Sequence, residues 1–295
     1  MMVKIVIADA MKESVVERLK GLGEVVLQPA DLKKELEDAD ALVVRSATKV
    51  SAELIEGARK LKIVARAGVG LDNVDKDACA AKGIKVVNTP GASTNAVAEL
   101  AIGMMICLMR KTGYLNDGMK EGKWLKKEGM GEEISAKTLG IFGMGRIGQE
   151  VAKKASALGM NVVYFDREKK DVQYKYFDSL EKMLEVADVV SLHASAQKGA
   201  APVFDAKAFS KMKKGTYFLN LARGALVDEK ALFDAIKSGR VAGAALDVYE
   251  KEPYSGELVM LDNVLLTPHI GASTAEAQER IGEDLILALR KGLGI

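Results

Sequence analysis

Short runs that are mostly apolar, rather than apolar at alternate positions, recur along this chain with helical patterns between them, and nothing else in the sequence constrains the fold as tightly. A strand that is apolar on both faces must be covered on both faces, and right-handed crossovers put helices there. Runs at residues 3–8, 25–27, 41–44, 61–65 and 85–87, with amphipathic segments at 14–20, 32–36 and 52–58, predict one doubly wound parallel unit. A second series at 138–142, 161–165, 188–192, 216–219, 241–245 and 264–267 predicts another. A helical pattern over 95–110 joins the two series, and one over 275–291 closes the chain. If that closing helix packs back on the first unit, the chain crosses between units twice and a cleft is expected between them.

A length of 295 residues with 48% apolar composition favours two such units over one core. The charges nearly balance, 43 Lys and Arg against 41 Asp and Glu, so neither a nucleic-acid footprint nor a membrane surface is expected. Cys79 and Cys107 stand far apart and outside any Cys-x-x-Cys spacing, which argues against a disulfide framework and a thiolate metal site; no metal is expected, and a reducing cytoplasm fits. Residues 3–8 lack the pattern of a secretory signal, and the apolar stretch at 98–109 is too short for a membrane span.

Gly143, Gly145 and Gly148 follow the 138–142 run and open a helical pattern over 149–158. In that context they read as a dinucleotide-binding turn: Gly143 for the tight bend, Gly145 for close approach of backbone to the pyrophosphate, Gly148 for helix against strand, with Arg146 and Ile147 in the helix's first turn. Asp166, at the end of the next run, suits the ribose hydroxyls and repels a 2′-phosphate, which favours NAD over NADP, although Arg167 beside it weakens that exclusion.

Three later runs each end in polar residues: Asn220-Leu221-Ala222-Arg223-Gly224, Asp247-Val248-Tyr249-Glu250-Lys251-Glu252-Pro253 and Thr267-Pro268-His269-Ile270-Gly271-Ala272. The carboxyl ends of parallel strands are where open α/β sheets take their ligands. Taken singly, an Arg before Gly also serves as a strand-end cap, and a Glu before Pro as a solvated charge. His269 stands out because the chain has only one other histidine, His193, which is equally consistent with a place in the cofactor cleft and with a structural role.

These segments, the glycine turn and the stretch Arg66-Ala67-Gly68-Val69-Gly70-Leu71-Asp72 closely resemble the D-isomer-specific 2-hydroxyacid dehydrogenase family, over essentially the whole chain from residue 3. The resemblance implies an α/β protein of two doubly wound parallel-sheet domains: a Rossmann-type NAD domain at about 96–270, inserted into a flavodoxin-like substrate domain formed by 1–95 and 271–295. It implies that His269 is the acid/base, that Glu252 fixes its tautomer, and that Arg223 binds the substrate carboxylate and polarises the C2 oxygen. Imidazole suits the first task because its ordinary pKa of about 6.5 lies nearest neutrality, and a guanidinium's planar fork suits the last. It further implies cofactor contacts at Leu221, Ala222, Arg223, Asp247, His269, Gly271 and Ala272, with Asp247 near the nicotinamide carboxamide. Substrate contacts are implied at Arg45, Ser46 and Arg66 and at the backbone of Gly68, Val69 and Gly70. A homodimer built on the cofactor domain is also implied.

Within the family, an Arg at position 66 and the basic stretch at 119–127 are like the members that oxidise D-3-phosphoglycerate to 3-phosphohydroxypyruvate in serine biosynthesis, and Arg45, at another strand end, is a second cation suited to a phosphate. A glyoxylate or hydroxypyruvate reductase is the alternative, and an NAD-sensing corepressor-like binding protein a remote one. The chain stops soon after the closing helix, so a C-terminal regulatory domain and serine inhibition through it are not expected. After His193 the family's usual Pro, Leu and Thr residues are replaced by Ala194-Ser195-Ala196-Gln197-Lys198-Gly199-Ala200-Ala201, and no role is carried over from that loop.

Overall fold

Alternate residues of the central strands enter different cores, which is why their runs are largely apolar. A computed structural model describes residues 3–197 and 199–295; Met1, Met2 and Lys198 lie outside the described residues, and with them the first two positions of the expected 1–95 segment and one position of the 194–201 loop. By internal contacts the chain divides into two compact units, one comprising the chain up to Ser93 with Ala272–Ile295, the other Thr94–Gly271.

The first unit runs β1 (Val3–Ile7), α1 (Glu13–Lys20), β2 (Gly23–Leu27), α2 (Leu32–Glu35), β3 (Ala41–Val44), α3 (Ala52–Ile55), β4 (Ile63–Arg66), α4 (Lys76–Ala81) and β5 (Lys85–Asn88). Its strands are all parallel, in the order β2-β1-β3-β4-β5. Ile5, Ile7, Ala41, Val43, Ile63 and Ala65 face one core, shared with α1 and with Ile281, Leu285 and Leu289 of the closing helix (Ala275–Leu293). Val6, Leu42, Val44 and Val64 face the other, beneath the short helices α2 to α4. Each fully buried Val, Ile or Leu contributes about 1.5–3 kcal/mol. A charge at Val43 would forfeit that and leave an unpaired ion in the core.

The second unit begins with α5 (Thr94–Met109) and α6 (Thr112–Lys120). It continues through β6 (Thr138–Phe142), α7 (Arg146–Ala157), β7 (Asn161–Phe165), β8 (Lys175–Phe177), α8 (Leu180–Leu184), β9 (Val189–Leu192), α9 (Ala206–Lys211), β10 (Thr216–Asn220), α10 (Glu229–Lys237), β11 (Val241–Leu246) and β12 (Val264–Leu266). Its seven strands are parallel in the order β12-β11-β10-β9-β6-β7-β8, so the direction of winding reverses between β6 and β9. That switch point is where such a sheet opens a crevice at its carboxyl edge, and the glycine turn leaves β6 there.

Two elements escaped the sequence reading. β8 has only three residues at a sheet edge, too few to show a period. In α6, Thr-Gly-Tyr-Leu-Asn-Asp-Gly-Met-Lys, two glycines with Asn and Asp depress helix propensity, and what holds it is packing on α5. Among the described residues no helix is long and apolar enough to cross a membrane.

Candidate active site

The glycine turn is built as its residue types require. Gly143 has φ +96°, a conformation that L side chains rarely adopt, and a Cβ there would lie 2.7 Å from Ala194 N. A Cβ on Gly148 would meet Gly143 O at 2.2 Å, so only glycine lets α7 approach the strand this closely. At Gly145 a Cβ would meet nothing within 4 Å. Gly145 is the N-cap of α7 and offers no side-chain acceptor, which leaves the helix's first N–H groups and the positive end of its dipole for a ligand. Asp166 ends β7 beside this turn, and its Oδ2 accepts the Met144 N–H at 2.8 Å. Open space over Gly145, an uncapped helix and a carboxylate alongside fit a dinucleotide. Arg146 is exposed and Ile147 half-buried in the same first turn.

His193 follows β9 behind that turn. Its N–H donates to Phe142 O at 2.8 Å and its Nε2 lies 2.8 Å from Ser191 Oγ. Nδ1 is buried and has no hydrogen-bond partner among the described residues. Burial pushes the imidazole down to about 3, which favours the neutral ring.

The three polar strand ends of this unit are tied to one another. Asn220 is fully buried at the end of β10; its Oδ1 accepts the Ala222 N–H at 3.0 Å and its Nδ2 donates to Arg223 O at 2.9 Å. Leu221 and Ala222 are buried in this clamp, and the Arg223 guanidinium donates to Ala222 O at 2.6 Å. A Cβ on Gly224 would stand 1.8 Å from the backbone of Tyr249, so glycine lets the Arg223 turn press against the loop after β11. In that loop Glu252 accepts the Tyr249 N–H through Oε1 at 3.3 Å and meets His269 Nδ1 through Oε2 at 2.8 Å. The His269 and Glu252 side chains are 40% and 39% exposed, open enough for a substrate to reach the ring. Burial pushes the Tyr249 phenol up to about 12, and its hydroxyl donates to Thr267 O at 2.8 Å. Asp247 accepts from Thr267, Ile270 and Gly271. Ala272 falls in the other unit, where its carbonyl accepts from Gln278.

In the first unit, Val44 and Arg66 are in register on neighbouring strands, so Arg45 and Arg66 leave adjacent strand ends. Asp9 holds the first of these: its Oδ2 accepts the Arg45 N–H at 2.5 Å and its Oδ1 the Thr48 hydroxyl at 2.6 Å, while Ser46 is exposed on the same bend. Gly68 has φ +146°, and the Arg66 guanidinium occupies the space a Cβ would need, with Nη1 2.0 Å from that position. The carbonyls of Gly68 and Val69 are taken by Thr89 N and Asn88 Nδ2. Because a trans peptide points its C=O and N–H in opposite directions, the N–H groups of Val69 and Gly70 face away from β5.

Asn220, Tyr249 and Thr89 were not among the expected site residues. Asn220 had a signal, a polar residue ending an apolar run. Tyr249 and Thr89 had none; the Thr89 hydroxyl is buried without a hydrogen-bond partner among the described residues, beside the Gly68 turn. A cavity of about 430 Å³ in the Thr94–Gly271 unit is lined by Cys107, Tyr114, Tyr217 and Leu265 among others, with Tyr217, Ala242 and Val264 coming from the starts of β10, β11 and β12. Among the described residues no cluster of His, Cys, Asp and Glu is arranged to hold a metal.

The family model for the NAD binding domain of D-isomer specific 2-hydroxyacid dehydrogenases matches residues 102–271. The chain belongs to that family. Its cofactor is NAD, and its class is that of NAD-dependent D-2-hydroxyacid dehydrogenases. It is 47% identical to the hydroxypyruvate reductase of Thermotoga maritima over 275 residues, which cover 91% of this chain and 90% of that one. It is 42% identical to the D-3-phosphoglycerate dehydrogenase of Methanocaldococcus jannaschii over 99% of this chain, but spans only 58% of that protein's length. The crystal structure of the TT0316 protein from Thermus thermophilus superposes with a TM-score of 0.92 at 36% identity, covering 99% of this chain and 97% of that one.

Proposed function

We propose that this dehydrogenase interconverts D-3-phosphoglycerate and 3-phosphohydroxypyruvate, the oxidation that begins serine biosynthesis, with Arg223, Glu252 and His269 as its catalytic residues. The observation that carries the chemistry is the 2.8 Å contact between His269 Nδ1 and Glu252 Oε2. With the Nδ1 proton committed to that carboxylate, Nε2 is the nitrogen that takes the substrate hydroxyl's proton, and Glu252 stabilises the imidazolium so formed. Arg223 holds the substrate carboxylate and polarises the C2 oxygen with its fork of donors. NAD, when bound, supplies the hydride acceptor for C2. It would be held by Gly143, Gly145, Arg146, Ile147 and Gly148 at the pyrophosphate, by Asp166 at the ribose, and by Leu221, Ala222, Asp247, Gly271 and Ala272.

The anionic ends of the substrate fall to Arg45, Ser46 and Arg66 and to the backbone of Gly68, Val69 and Gly70. Two guanidinium groups on adjacent strand ends support a phosphorylated substrate, because a doubly charged group needs such partners. A second reading, reduction of hydroxypyruvate or glyoxylate, is favoured by the 47% identity with a hydroxypyruvate reductase over 90% of its length.

Specificity constants with NADH decide between them. The phosphate reading expects 3-phosphohydroxypyruvate to exceed hydroxypyruvate and glyoxylate by about tenfold or more, one charge-assisted pair at the least. Equal constants would refute it. We also propose a homodimer built on the Thr94–Gly271 unit, which sedimentation at micromolar concentration tests; a monomer there would end that reading.

A further inference from the structure

His269 adopts φ +55°, a left-handed conformation that a non-glycine residue holds only when its surroundings over-determine the backbone. The surroundings that do so centre on Asp247, 2% exposed just after β11. Its Oδ1 accepts the Thr267 hydroxyl at 2.7 Å and the Ile270 N–H at 2.8 Å, and its Oδ2 accepts the Gly271 N–H at 2.9 Å. The donors flank His269 on both sides, and both carboxylate oxygens are engaged. Gly271 has to be small for this: a Cβ there would lie 3.1 Å from Oδ2 and 3.2 Å from Val97. A second support comes through Thr267 O, which accepts the His269 N–H at 3.0 Å and the Tyr249 hydroxyl at 2.8 Å. Since the Tyr249 N–H also donates to Glu252, one residue steadies both halves of the Glu252–His269 pair.

We propose that Asp247, supported by Tyr249, is a positioning residue that fixes His269 in its left-handed backbone conformation and so aims the imidazole. This rests on the reading of His269 as the acid/base. It gives Asp247 a task distinct from touching the nicotinamide. A carboxylate is the group for it, because every donor that converges on it needs an acceptor, and these charge-assisted bonds are stronger than neutral ones. In Asp247→Asn one acceptor becomes an NH2 donor facing a loop donor, and the loop must shift.

The test combines amide hydrogen exchange, NADH titration and steady-state kinetics on Asp247→Asn, with Tyr249→Phe and His269→Ala alongside. In Asp247→Asn the Ile270 and Gly271 amides should exchange about tenfold faster. Its kcat should fall about 10²-fold, the cost of a small misplacement of a reacting group, and by more than its affinity for NADH falls. Tyr249→Phe keeps the carboxylate and loses one hydrogen bond, so its kcat should fall about threefold to tenfold with KM unchanged. An Asp247→Asn enzyme that keeps its kcat while His269→Ala has lost it would overturn the proposal. So would one whose Ile270 and Gly271 amides stay protected while NADH affinity drops as far as kcat. If Asp247→Asn fails to fold, an unchanged kcat in Tyr249→Phe overturns it instead. Activity surviving in His269→Ala would sink the acid/base reading itself, an outcome separate from these.

Discussion

Two glycine turns, one in each unit, solve the same steric problem and then diverge. Both follow a buried parallel strand, and both carry a glycine at positive φ, Gly68 at +146° and Gly143 at +96°. After Gly143 the chain enters α7 almost at once, a helix of twelve residues whose N-cap brings no side-chain acceptor, so backbone N–H groups and a helix dipole are left for an anion. After Gly68 the next helix begins only at Lys76, runs six residues, and is capped by Asp75, whose carboxylate takes the Ala78 N–H at 3.0 Å. That helix end is already neutralised. The positive charge at the Gly68 turn comes from a side chain instead, the Arg66 guanidinium lying against the glycine. A diffuse backbone dipole suits a pyrophosphate shared by many proteins of this architecture; a guanidinium suits a substrate that must be told apart from its relatives.

The largest effect expected from this contrast belongs to the Gly143 turn, where the structural and ligand roles of glycine separate. Gly148→Ala drives a Cβ into Gly143 O at 2.2 Å, so the turn must open. Overpacking of this kind costs about 1–3 kcal/mol, and NADH affinity should fall up to about 10²-fold along with the melting temperature. Gly145→Ala meets nothing in the protein within 4 Å and has an ordinary φ of −77°, so the fold should not notice it. Its melting temperature should stay within about 2 °C of wild type, yet NADH binding should weaken about tenfold because the methyl stands where the cofactor's phosphates pass. Fluorescence titration and thermal melts read both. Wild-type NADH affinity in Gly145→Ala would break the comparison, since the open space would then have no ligand.

A smaller, more selective effect is expected at the other turn. Arg66→Met removes the cation there while keeping much of the side chain's bulk. A hydrogen bond to a charged group is worth about 1.5–3 kcal/mol, so kcat/KM for 3-phosphohydroxypyruvate should fall roughly 10-fold to 10²-fold. Hydroxypyruvate, with one anionic group fewer, should lose less. Arg66→Lys restores the charge without the fork and should recover part of the difference. Equal losses for both keto acids would remove the distinction between a general and a discriminating turn.

How much of this was legible beforehand follows the range of each interaction. The strands of both sheets could be read because burial on two faces leaves unbroken apolar runs such as Ala41–Val44, all buried. The duties of Gly143 and Gly148 could be read because each is settled within a few residues, by a positive φ in one case and by a helix stacked on its own turn in the other. The pairing of Glu252 with His269 spans seventeen residues and two strand ends, and only the resemblance to a known family suggested it. The work of Asp247 was not legible at all. A carboxylate at a strand end reads as a ligand contact, and nothing in the sequence shows that the Thr267, Ile270 and Gly271 donors also converge on it. β8 and α6 were missed because neither carries its own signal, one through brevity and the other through propensity.

The smallest effect sharpens the contrast most directly, because it asks whether the capped helix after Gly68 is spent as an anion site. Asp75→Ala removes the side chain that accepts the Ala78 N–H and should destabilise the protein by about 1 kcal/mol, the usual worth of an N-cap. Exposing that helix end should not improve substrate binding: α4 is a six-residue helix with little dipole to offer, and it starts eight residues past Gly68. Urea denaturation measures the first quantity and KM for the keto acid the second. A drop in KM on uncapping would mean that the helix end, not Arg66 alone, sets the potential at the turn, and the two turns would then work by one mechanism rather than two.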